Sequence, residues 1–150
     1  MDNDLSKEKR AVWEQLQARV VELAILVGGL SKKHNLAASL PFREWNETCP
    51  GDPGVAEGWD CEITAKTTGE VVVIETEDAW KNHTRVMCKL TNPPPPPKLL
   101  PRRLLEAAPA KLQALARIVK TVLGEQIEET KKATEAAEAA TAEVKKEFEV

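Results

Sequence analysis

Five side chains in this sequence could ligate a metal or supply a nucleophile and its base: His34, Cys49, Cys61, His83 and Cys88. A structural zinc site needs ligands in close pairs, because each short turn then aims two side chains at one ion. The tightest spacing here is His83-x4-Cys88, so core or loop thiols are expected, with no metal and no cofactor. Nucleophilic catalysis would require a cysteine or serine beside a histidine base and an orienting group, and no local signature of that kind is present. Cys49 lies near Trp45 and Trp59 in a Gly/Pro-rich stretch and is the one thiol expected to be exposed. An enzyme using that loop is therefore kept as the third functional reading.

Paired carboxylates (Asp60/Glu62 and Glu75/Glu77/Asp78) arise by default in a chain with 24 acidic residues. The glycine pairs Gly28-Gly29 and Gly51-x2-Gly54 match neither the P-loop nor the dinucleotide fingerprint. Six cations fall between Lys98 and Lys120 against Glu106 alone. On a helix, however, Arg103, Lys111 and Arg117 do not share one narrow face, and no aromatic side chains lie near for base stacking. A net charge of −3 also weighs against nucleic acid, which calls for a concentrated basic surface. Four tryptophans, Trp13, Trp45, Trp59 and Trp80, with no tyrosine, read as buried loop anchors or as binding hot spots.

Three cysteines without a close pair fit a reducing compartment: the cytoplasm, or a particle assembled inside the cell. A Cys49–Cys61 disulfide is the alternative. The acidic start Met1-Asp2-Asn3-Asp4 does not have the layout of a secretory signal, so Asn46-Glu47-Thr48 and Asn82-His83-Thr84 are taken as chance matches to the glycosylation pattern. No apolar run approaches the ~20 residues of a membrane span.

Gly and Pro clusters cut the chain into parts. From about Leu5 to Val27, apolar residues at Val12, Leu16, Val20, Leu23 and Val27 follow the helical period, widened by Val21, Ala24 and Ile25. This predicts a helix whose last two turns are buried, ended by Gly28-Gly29 as a left-handed cap. A short helix or turn is expected near 32–39, followed by a long loop to about residue 60. Glu62–Lys66 and Val71–Glu75 then read as a hairpin with a four-residue loop at 67–70, pairing Ile63 with Ile74 and Ala65 with Val72. A third strand near 84–90 turns Val86, Cys88 and Leu90 inward. The N-terminal helix is the natural cover for this sheet.

Pro93, Pro94, Pro95, Pro96 and Pro97 read as a stiff polyproline II spacer of about 15 Å. Pro101 and Pro109 each suit the first turn of a helix, and the Ala-rich sequence after Ala110 predicts a helix of roughly 40 residues. The expected architecture is α+β: an α+β domain over 1–92, a spacer over 93–101 and a helical arm over 102–150. Leu99, Leu100, Leu104, Leu105, Leu112, Leu115, Val119 and Val122 form apolar surface beyond the spacer that a lone helix cannot cover. With the prolines they are expected to bind a protein partner or a second copy of the chain. The leading functional reading is a non-enzymatic structural or assembly subunit of a larger complex, such as a virion, or of a homo-oligomer. A small acidic dimeric binding module or chaperone is the second.

Overall fold

The computed structural model describes residues 2–46, 57–79, 82–95 and 98–149. Helix α1 spans Asp2–His34 and runs straight through Gly28-Gly29, the pair expected to end it. Gly28 has a packing role instead. A Cβ there would stand 2.9 Å from the Gly69 carbonyl carbon, closer still to its oxygen, and 3.3 Å from Val71 Cγ2. The absent side chain is what lets α1 lie this close to the sheet. The helix stops one turn later, where Asn35 takes a left-handed φ of 53°. The Leu36 amide donates to the Ser31 carbonyl at 3.0 Å and the Asn35 amide to that of Lys32 at 3.3 Å, the paired bonds of a Schellman cap.

Four strands, not the expected three, follow: β1 (Ala38–Asn46), β2 (Glu57–Ala65), β3 (Val71–Ala79) and β4 (Asn82–Lys89). They pair antiparallel in the order β1-β2-β3-β4. The added strand β1 occupies sequence expected to be loop because of Pro41. A proline removes a ladder donor but is tolerated on an edge strand, which is where β1 lies.

The β2–β3 register is one residue away from expectation. Ile63 pairs with Val73, Thr64 with Val72 and Ala65 with Val71. The turn is responsible: the Gly69 amide donates to the Lys66 carbonyl, the Lys66 amide to that of Glu70, and Gly69 has a φ of 96°. This is a three-residue loop with a glycine bulge, not an open four-residue loop. One sheet face carries Ala38, Cys61, Ile63, Ala65, Val71 and Val73, all buried. Across the next ladder Val73 pairs with Cys88, and Leu90 is buried as expected while Met87 faces solvent. Val20, Ala24, Val27 and Ser31 are buried on α1, and α1 packs on β2 and β3.

Helix α2 spans Arg102–Phe148 and contains Pro109. It begins at Pro101, whose carbonyl accepts the Leu105 amide at 3.1 Å; Pro109, exposed within the helix, does not start one. The chain divides into two compact units, Met1–Val119 and Lys120–Val150. Leu100, Leu104, Leu105, Ala108, Leu112, Leu115 and Val119 are buried and belong to the first unit, together with the sheet and α1. α+β is therefore the fold class, with two long helices and one small antiparallel sheet. No helix among the described residues is long and apolar enough to cross a membrane.

Candidate functional site

The segment from Lys98 to Pro101 is held by two side chains one turn apart on α1. Trp13 Nε1–H donates to the Leu100 carbonyl at 3.0 Å, and the Leu100 amide donates to Gln17 Oε1 at 2.7 Å. Both backbone groups of Leu100 are thus satisfied as its side chain is buried to 5% exposure. Pro93, Lys98 and Leu99 border a groove against Arg10, Glu14, Gln17 and Val21 of α1. The chain after the prolines therefore returns to α1.

Several of the residues read as partner-binding are packed within the chain. Leu104, Leu105, Leu112 and Leu115 are fully buried and Val119 is 3% exposed, so the chain itself covers these side chains. The reason is the Trp13–Gln17 bracket, which brings the start of α2 back to the core instead of leaving it beyond a stiff tether. Leu99, Val122, Pro93 and Pro94 are half-buried and Pro95 is exposed; Pro96 and Pro97 lie outside the described residues. Pro93–Pro95 have no regular secondary structure.

Among the described residues, no group of three or more His, Cys, Asp or Glu side chains is placed to hold a metal ion. Cys61 is buried and Cys88 half-buried, on one sheet face. Cys49 and Trp80, with the Gly51–Gly54 loop, lie outside the described residues, as do the side chains of Trp45, Trp59 and His83. Two of the cations between 98 and 120 have partners within the chain. Arg102 pairs with Glu106 at 3.3 Å, and the Lys111 ammonium stands 5.5 Å above the Phe42 ring centroid, a cation–π contact.

What the molecule does present is apolar helix surface. On α1, Leu5, Val12, Ile25 and Leu26 are more than half exposed, so the last turns of α1 are not buried all round as expected. On α2, every side chain from Glu125 to Glu149 is exposed, including Ile127 (47%), Val144 (53%) and Phe148 (70%). The arm residues Ile127, Val144 and Phe148 form the second surface, and periodicity alone could have found them, since they extend the α2 stripe. Trp13 and Gln17 were missed as positioning residues; their spacing from Val20, Ala24 and Val27 is the signal that places them on the buried side.

Comparison with protein-family models, with curated proteins and with solved structures gave no match.

Proposed function

We propose that this protein is a non-enzymatic assembly subunit that docks into a larger complex or homo-oligomer through the C-terminal part of α2. The observation that carries this reading is the uninterrupted helix from Lys120 to Phe148, exposed throughout beyond Leu123 and bearing Ile127, Val144 and Phe148 at helical spacing. An isolated helix draws most of its stability from packing an apolar stripe, so a helix of this length with its stripe in solvent is built to be covered. This reading places the docking surface on the arm, since Leu100, Leu104, Leu105, Leu112 and Leu115 are buried in the core.

The test compares the native mass of the particle that holds the full chain with that of a chain ending at Val119. The full chain is expected in a larger particle and the shortened chain to be folded and single. Equal masses would overturn the reading.

A further inference from the structure

We infer that the arm's partner is a second copy of the same chain, docked antiparallel along Leu123–Phe148. This rests on the reading of the arm as the docking element and adds the partner and its orientation.

The seam is read directly from the helix. Leu123, Ile127, Thr130, Thr134, Ala137, Thr141, Val144 and Phe148 recur at alternating steps of four and three, the spacing of a coiled-coil seam. Over about 37 Å of helix this is long enough for a sustained heptad pattern. Three of the eight are threonines, which would ordinarily break such a seam. Here each hydroxyl is already turned back onto the helix: Thr130 donates to the Gln126 carbonyl at 2.8 Å, Thr134 to that of Thr130 at 2.9 Å and Thr141 to that of Ala137 at 2.8 Å. The hydroxyls need no partner from another molecule, and the threonine methyls are left to line an apolar surface.

In either direction the seam sets side chains of like size together; the flanking charges are what favour a second helix running the other way. Antiparallel, Leu123 meets Phe148 of the second copy, Ile127 meets Val144, Thr130 meets Thr141 and Thr134 meets Ala137. Large layers then lie at both ends and small ones in the middle. The flanking positions agree. Lys131 falls beside Glu138 of the second copy, and by symmetry the contact forms twice. On the other flank Ala133 falls beside Ala140, which lets the helices approach closely. A parallel pair would instead set Gln126 beside Lys131, Ala133 beside Glu138 and Ala140 beside Lys145, with no opposite charges facing. In the single chain Lys131 pairs with Glu128 at 3.6 Å, and both side chains are 67% exposed, an arrangement that contributes little.

The experiment is sedimentation of the full-length chain, with Lys131→Glu, Glu138→Lys and the double variant. The full chain should be a dimer in the micromolar range. Lys131→Glu replaces both attractions with like-charge contacts and should weaken the dimer by about tenfold; the double variant should restore it. Mixing Lys131→Glu with Glu138→Lys, one of them fluorescently labelled, should give mixed dimers in preference to either homodimer, because each copy then supplies what the other needs. A dimer indifferent to all these changes would overturn the antiparallel register. A full chain that stays single, while its arm is still required for entry into the native particle, would overturn self-docking and leave the arm as a site for another protein.

Discussion

The two adjacent glycines of α1 should respond to alanine in opposite directions. Both lie inside the helix, where alanine is favoured over glycine by about 1 kcal/mol. At Gly29 nothing lies within 4 Å of the added Cβ, so Gly29→Ala should collect most of that gain, roughly 0.5–1 kcal/mol. At Gly28 the added carbon would overlap the Gly69 carbonyl and stand 3.3 Å from Val71 Cγ2. The carbonyl belongs to a bulged turn fixed by two backbone hydrogen bonds, so relief requires α1 and the β2–β3 hairpin to separate. Overpacking of this kind costs ~1–3 kcal/mol, and with backbone as the obstacle the upper part of that range applies. The net expectation for Gly28→Ala is a loss of about 1–2 kcal/mol, or several degrees in Tm. Urea unfolding of the full chain, followed by circular dichroism, measures both variants against the parent. A Gly28→Ala variant as stable as Gly29→Ala would refute the close approach of α1 to the turn and the packing built on it.

A chain ending at Asn92 should fail to fold, since it loses Leu100 to Val119, whereas one ending at Val119 should give a cooperative thermal transition by circular dichroism. Ser31 Oγ is buried without a hydrogen-bond partner among the described residues, so Ser31→Ala should raise stability by about 0.5–1 kcal/mol in urea titration. Gln17→Ala leaves the half-buried Leu100 amide without its acceptor and should cost about 1–2 kcal/mol, seen as a lower urea midpoint.

Much of the architecture was legible because it rests on short-range rules. The apolar period of α1 and α2, the hairpin around Gly69 and the inward Cys88 and Leu90 all follow from local pattern. The misreadings share a cause: Gly and Pro have more than one physical use. Gly28-Gly29 resembles a cap by composition, but Gly28 is set by a contact with a turn some forty residues later, and Asn35 performs the capping. Pro41 resembles a loop signal yet occupies an edge strand. Gly69 was recognised as a turn residue, but its left-handed φ closes a tighter loop and shifts the register by one. The burial of the leucines after the prolines was missed for a non-local reason. No spacing rule reveals that Trp13 and Gln17 hold the Leu100 peptide from more than eighty residues away, and that bracket decides whether the leucines after the prolines are core or surface. The apolar arm residues farther along α2, by contrast, are visible in the sequence and keep their exposure in the fold.

Pro41 also bears on how copies of this molecule can meet. An open four-stranded sheet has two rims, and either could act as a template on which a stranger's extended segment adds another rung. Along the β1 rim the imide nitrogen of Pro41 breaks the row of donors such a segment would need. Growth of ordered stacks from that side is thereby discouraged.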